Sequence, residues 1–209
     1  MIKDIVPDIV IGRLPRYLQC LNLMAKEGLH TVSSGVLAAR LGTTAAQIRK
    51  DLSYFGGFGK QGSGYPIYPL IESLQKILNL DRIWQVAVVG AGGLGRALAR
   101  YPGFPRQGIE IKLLFDIKPK LVGTKVGAVT IQHVEYLEEE IQYHGIKIGI
   151  LAVPAEIAQK IADRMVKAGI RGILNYAPVA LVLPETVHEE HIDPVLQLQT
   201  MMYYLGDDE

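Results

Sequence analysis

The sequence is poor in several residue types that would point to particular protein classes. It has one cysteine, one tryptophan and four phenylalanines in 209 residues. A single cysteine excludes an intramolecular disulfide, and the neighbours Leu18, Leu21 and Leu23 give Cys20 the setting of a buried structural thiol. No apolar run reaches the roughly 18–20 residues that a bilayer-spanning helix requires. The opening MIKDIVPDIVIGRLPRY places acids and a proline where a signal peptide would be continuously apolar. A cytoplasmic protein with no membrane partner is therefore expected. The histidines, at positions 30, 133, 144, 188 and 191, form no recognisable catalytic spacing. His188 and His191, among Glu189, Glu190 and Asp193, read as a solvated acidic turn in preference to a metal site. No metal site is expected.

Net charge is nearly absent, at +1, but it is unevenly spread. Residues 1–80 hold nine Lys/Arg against five Asp/Glu, whereas the remainder holds thirteen against sixteen. A basic N-terminal third on a mildly acidic body suits a polyanionic partner for that third.

What the sequence does have is glycine in patterns. Two stretches match G-x-G-x-x-G, GFGKQG at 57–62 and GAGGLG at 90–95, and their surroundings differ. Upstream of residue 57 the chain reads as helices. Arg13–Glu27 places Leu14, Leu18, Leu21 and Met24 at helical spacing before Gly28. Ser33 or Ser34 can cap a short helix ending at Gly42, and Thr44-Ala-Ala-Gln47 reads as a capping box opening a third helix, AAQIRKDLSYF. At about 100° per residue, Ala45, Ile48, Leu52 and Phe55 share an inward face. The outward face carries Ala46, Lys50 and Ser53, flanked by Gln47, Arg49 and Tyr54.

Helix, short turn, capped helix is a helix-turn-helix pattern, with the third helix as candidate reader of a DNA major groove. Ala46 permits close approach, and Gln47, Arg49, Lys50 and Ser53 supply donors. The alternative is a purely structural trihelical unit with a solvated basic face. GGFGKQGSGYPIY favours DNA. With no strand before it and no helix after it, it fits a β-hairpin wing, with Tyr65, Ile67 and Tyr68 alternating, Lys60 and Gln61 at the tip and Phe58 nearby. Arg13, at the head of the first long helix, is grouped with Ala46, Gln47, Arg49, Lys50, Ser53, Tyr54, Phe58 and Lys60 as a candidate DNA contact.

The second match sits in the opposite context. Trp84–Val89 reads as a strand, Leu94–Tyr101 as a helix and Ile109–Phe115 as a second strand closed by Asp116, about twenty residues beyond Gly95. This is the dinucleotide arrangement, with Gly90, Ala91, Gly92, Gly93, Leu94 and Gly95 forming the phosphate turn. Asp116 can accept hydrogen bonds from a ribose diol and repels a 2′-phosphate, so NAD+ and NADH are favoured over their phosphorylated forms. Lys147–Val153, a helix after Pro154, and Ile170–Asn175 continue the alternation, with Ala180–Leu183 as a further candidate strand. Val153, Pro154 and Asn175 fall at strand ends where a dinucleotide would lie, or else serve ordinary helix-start and turn chemistry.

About 35 residues remain after this unit, too few for a substrate domain. The dinucleotide therefore reads as a signal more than a coreactant, and no enzyme is expected. Pro194–Leu205 reads as a helix whose stripe of Val195, Leu198, Met202 and Leu205 packs either on its own core or on a second subunit. The expected fold is α/β: a winged helix-turn-helix over 1–80, a Rossmann-type parallel-sheet domain over 81–192, and a C-terminal helix and tail over 193–209.

That combination resembles the Rex family of redox-sensing transcriptional repressors. The likeness is carried by RLPRYL at 13–18, IRKDLSYFG at 48–56, GAGGLG at 90–95, YPGF at 101–104, GILNYAP at 172–178 and HID at 191–193. The resemblance implies a homodimer that binds palindromic operator DNA when NADH is low and releases it when NADH rises. It also implies a domain-swapped C-terminal helix, with Tyr101 near the nicotinamide and Asp193 as a switching aspartate. The family often pairs that aspartate with an arginine on the first long helix. Gln19 stands at that place here, with Arg16 one turn earlier as a substitute and Pro194 following Asp193. Two other readings compete: a CoA- or nucleotide-binding subunit of an acyl-CoA ligase type, and an NAD-dependent reductase.

Overall fold

The structure is a computed structural model and describes residues 6–58 and 64–206. The chain forms two compact units, Met1–Arg82 and Ile83–Glu209.

The first unit runs α1 (Asp8–Ile11), α2 (Leu14–Lys26), β1 (Thr31–Val32), α3 (Ser34–Leu41), α4 (Ala45–Ser53), β2 (Tyr65–Pro66) and α5 (Ile67–Ile77). Leu14, Leu18, Leu21 and Met24 of α2 meet Leu37 of α3, Ile48 and Leu52 of α4, and Ile67, Leu70 and Leu74 of α5 in one core. Both caps of the helix-turn-helix form. Ser33 Oγ accepts from Val36 N at 3.1 Å, and Thr44 Oγ1 accepts from Gln47 N at 3.1 Å. The capping box is only half made, because the Gln47 amide turns along its helix to Asp51 Oδ1 at 2.7 Å and not back to the cap.

The expected hairpin over 56–68 takes another form. Tyr65–Pro66 pairs antiparallel with Thr31–Val32, and Ile67 and Tyr68 begin α5. The reason is helical spacing: Ile67, Leu70, Ile71 and Leu74 make a buried stripe, and Pro66 and Pro69 sit where a helix start tolerates them. Lys60 and Gln61 lie outside the described residues.

The second unit comprises β3 (Trp84–Val89), α6 (Gly93–Ala99), α7 (Gly103–Arg106), β4 (Ile109–Asp116), β5 (Lys125–Val126), β6 (Val129–His133), α8 (Leu137–His144), β7 (Ile148–Leu151), α9 (Ala155–Ala168), β8 (Gly172–Asn175), β9 (His188–His191) and α10 (Pro194–Leu205). The sheet order is β5-β6-β4-β3-β7-β8-β9, parallel except where β5 meets β6. The chain builds outward from β3 on one side and then returns to place β7 on the other, so the switch point lies between β3 and β7. Ligands of open α/β sheets settle in the crevice at such a point.

Strand alternation divides the core by face. Ala87 and Val89 join Leu137 and Ile141 of α8 and Ala158, Ala162 and Met165 of α9. Val86 and Val88 face Leu98 of α6 and Phe104 of α7. That second face is thinly covered, because β4 is joined to β6 through turns and the short β5. A cavity of about 840 Å³ remains over Ile109, Ile111 and Val129, edged by Tyr101 and Phe104.

Two local expectations change. Ala180–Leu183 is irregular, pinned to α9 where Gln159 Nε2 donates to Val182 O at 3.0 Å and Gln159 Oε1 accepts from Val182 N at 2.8 Å. The last strand is instead His188–His191, the segment expected to be an acidic turn, in parallel register with Gly172–Asn175.

Candidate functional site

In the second unit, the GAGGLG turn follows β3 and opens α6, as its spacing predicts. Gly90 has φ 101°, and a Cβ there would strike the carbonyl oxygen of Ala152 beyond β7. A Cβ on Gly95 would strike the carbonyl oxygen of Gly90, so this glycine lets α6 sit against the turn. Gly92 and Gly93 differ. A Cβ on either meets nothing within 4 Å, so the loop presents bare backbone to open space.

That space is a cavity of about 540 Å³ bordered by Gly92, Gly93, Arg96, Lys118 and Lys120. Backbone approach, three cations and the start of a helix suit a diphosphate. Asp116 ends β4 almost fully buried, with Oδ2 accepting from Ala91 N at 2.7 Å and Oδ1 from Lys118 N at 2.8 Å. These two bonds hold the carboxylate against the turn. Each oxygen keeps acceptor capacity for a ribose hydroxyl. The residues present therefore fit an adenine dinucleotide.

The other cofactor candidates divide. Val153 is half-buried and Pro154 exposed, just past β7 beside Gly90, at the mouth of the crevice. Leu94 is exposed at the start of α6. Tyr101 is exposed at the rim of the larger cavity, its ring edge-on to Phe104 with centroids 5.1 Å apart. Asn175 is completely buried, and its amide serves its own loop and a neighbouring strand: Nδ2 donates to Val179 O and Glu189 Oε1, and Oδ1 accepts from Ala177 N, all at 2.9 Å. Asp193 caps α10, its Oδ1 accepting from Val195 N at 2.9 Å.

A reductase pair could be read into Tyr143 and Lys147, which have Tyr-x-x-x-Lys spacing. The structure gives them no shared site. Tyr143 is 81% exposed on α8, while Lys147, past the end of that helix, reaches the carbonyl of Gly169. Among the described residues no group of acids, histidines and cysteine could hold a metal ion.

In the first unit, α4 turns Ala46, Arg49, Lys50 and Ser53 to solvent, with Tyr54 half-buried. Arg49 Nη1 donates to Ser34 Oγ at 2.9 Å, which lays its guanidinium against the start of α3. Phe58 packs partly on the core. Arg16 and Gln19 lie one turn apart on the exposed side of α2, beside a cavity of about 420 Å³ shared with Arg40.

Arg13 and Gln47 are committed elsewhere. Arg13 Nε and Nη2 donate to Asp51 at 2.6 and 2.7 Å, joined by Tyr17 Oη at 2.6 Å and Gln47 Nε2 at 2.7 Å. Asp51 has no exposed surface. Sequence reasoning missed it; its signal is an acid beside Leu52 on the inward half of the helix.

Comparisons with known proteins bear on both units. Residues 5–53 match the family model "Putative DNA-binding protein N-terminus", and residues 81–179 match the model "CoA binding domain". The chain is 52% identical to a redox-sensing transcriptional repressor Rex of Chloroflexus aurantiacus, over 99% of this chain and 98% of that one. It is 51% identical to a repressor of the same name from a Roseiflexus species, over 97% and 92%. It is 40% identical to the one from Streptomyces coelicolor, over 95% and 77%. A crystal structure of RSP in complex with β-NAD+ and operator DNA matches with a TM-score of 0.93 at 43% identity, over 98% of this chain and 94% of that one. RSP in complex with β-NADH matches at 0.89 and 41% identity, over 98% and 96%. The second model's description alone would leave the CoA-binding alternative standing. The N-terminal match and the full-length relatives, all named repressors, decide against it and against a reductase. The chain belongs to the Rex family of redox-sensing transcriptional repressors.

Proposed function

We propose that this chain represses transcription in response to the NADH/NAD+ ratio, holding operator DNA as a homodimer when NADH is low and releasing it when NADH binds. The observation that carries this reading is the presence, in one chain, of an acid-ended dinucleotide crevice and a capped helix-turn-helix. Its support is a relative of the same architecture crystallised both with operator DNA and NAD+ and with NADH.

Gly90, Ala91, Gly92, Gly93, Leu94 and Gly95 are assigned to the diphosphate, Asp116 to the adenosine ribose, and Val153 and Pro154 to the crevice wall. Tyr101 is assigned to the nicotinamide side. Ala46, Arg49, Lys50, Ser53, Tyr54, Phe58 and Lys60 are assigned to the operator. Arg13 and Gln47 orient α4 through Asp51. Asp193, Tyr101, Arg16 and Gln19 are assigned to the switch.

Dimerisation is supported by α10. None of its residues is buried, and eight large apolar side chains from Val195 to Leu205 are 50–76% exposed. A surface of that kind marks an interaction site. Two chains would present two recognition helices, one to each half of a palindrome. No helix among the described residues is long and apolar enough to cross a membrane. The repressor reading, with operator DNA as partner, supports a cytoplasmic location.

The signal is a charge. NAD+ carries a positive nicotinamide ring and NADH a neutral one, and an apolar pocket disfavours the charged form because burying an unpaired charge is costly. A gel-shift assay on a palindromic A·T-rich duplex tests the reading. The protein should retard the duplex alone or with NAD+ and lose it on adding NADH. A chain that ignores DNA and turns over hydride contradicts the proposal.

A further inference from the structure

The end of β8 is joined to the start of α10 by a compact hydrogen-bonded group. Tyr176 N, just past Asn175, donates to Leu151 O at 2.9 Å, so the loop after β8 begins against the end of β7. The next residue past β7 is Ala152, whose carbonyl bounds Gly90 at the crevice. The buried Asn175 amide then holds three points, Ala177 N, Val179 O and Glu189 Oε1. Both of its donor hydrogens are thereby used, one on the loop and one on β9.

From β9, the His191 ring bonds the Ala177 carbonyl at 3.1 Å, and Ile192 N donates to Asn175 O at 2.8 Å. The following residue, Asp193, caps α10. Loop 176–179 is thus hydrogen-bonded to His191, two residues before the Asp193 that caps α10. A shift of the crevice wall at Leu151–Val153 has a short bonded path to the helix that a second copy would receive.

We propose that Asn175, Glu189 and His191 are positioning residues of the switch: they touch neither cofactor nor operator but transmit cofactor occupancy to the orientation of α10. Asn175 is thereby reassigned from binding to coupling. The inference rests on the repressor reading above and deepens it. The bonds that Glu189 and His191 make are the side-chain part of the link from the crevice loop to α10, beside the backbone bond of Ile192, so removing them should weaken the coupling while leaving each site intact.

The test is the ratio of NADH affinities measured with and without a saturating operator duplex. It is made on the full-length protein and on Glu189→Ala, His191→Ala and Glu189→Gln. In the wild type the ratio should lie in the range of about 5 to 150 typical of allosteric coupling. Glu189→Ala and His191→Ala should each lower it by about threefold or more, with NADH affinity of the free protein and operator affinity of the cofactor-free protein held within about twofold. Glu189→Gln keeps an acceptor for Asn175 and should retain the wild-type ratio. If Glu189→Ala does not fold, His191→Ala, an exposed residue, carries the same prediction alone. A wild-type ratio in His191→Ala overturns the proposal, and so does a loss of NADH affinity that tracks a fall in melting temperature. A wild-type ratio of one overturns the repressor reading itself, a result distinguishable from the first two.

Discussion

Asp51 sits in α4 with no exposed surface, and Arg13, Tyr17 and Gln47 converge on its carboxylate. Burial opposes its ionisation, but hydrogen bonds from Arg13, Tyr17 and Gln47 outweigh that and hold its carboxyl below the usual value. The Tyr17 phenol moves the other way, pushed up to about 12 by burial and by its bond to Asp51. The signs set two pH windows. Asp51, with a depressed folded value, contributes stability that is present above about pH 4 and is lost as pH falls through its folded value. Tyr17, with a raised one, contributes stability that is present below about pH 10 and is lost as pH rises toward 12. Thermal melts across pH should show the first unit weakening at both ends, with Asp51→Asn flattening the acid limb. Asp51→Ala removes the anion and strands the Arg13 guanidinium, which is a quarter exposed. It should cost about 3 kcal/mol, the lower end for breaking a buried pair, read by urea denaturation. An unchanged acid limb in Asp51→Asn would sink this account of the network.

At the scale of elements, the phosphate loop separates binding from folding. Gly92 has φ −68°, a conformation open to any residue, and faces open space. Gly92→Ala should melt like the wild type yet lose about tenfold or more in NADH affinity, because its methyl would occupy the place proposed for the diphosphate. Gly95→Ala drives a methyl into the Gly90 carbonyl and should lose about 1–3 kcal/mol of stability as well. Equal melting losses in both variants would contradict this division of labour. On α4, Lys50→Ala should weaken every duplex alike and lower the salt slope of binding by about one, as a phosphate contact does.

The elements also show what could be read in advance. Trp84–Val89 and Ile109–Asp116 were legible because their buried parts, Val86–Val89 and Leu113–Phe115, are continuously apolar, and α3 and α4 because Ser33 and Thr44 cap them locally. β9 was not legible, because HEEH becomes a strand only through its register with β8. Nor was the role of Arg13, whose partner lies 38 residues away. Asn175 was placed correctly at a strand end, but its bonds depend on Glu189, which sequence spacing does not bring to it.

At the scale of the whole molecule, cofactor and operator must compete through the dimer. Moving a population from nearly all DNA-competent to nearly none takes roughly 5 kcal/mol of differential binding, which two cofactor sites per dimer can supply together. The exposed apolar face of α10 offers a physical connection between subunits. Truncation before Pro194 should give a monomer by sedimentation that still binds NADH weakly but no longer holds a palindrome tightly. A truncated chain that remains a dimer would place the interface elsewhere. The most direct measurement is a pair of titrations, NADH into the free protein and NADH into the operator complex. Linkage requires the operator to weaken NADH binding by the same factor by which NADH weakens operator binding. The account predicts two equal factors well above one; identical NADH affinities in the two titrations would contradict it.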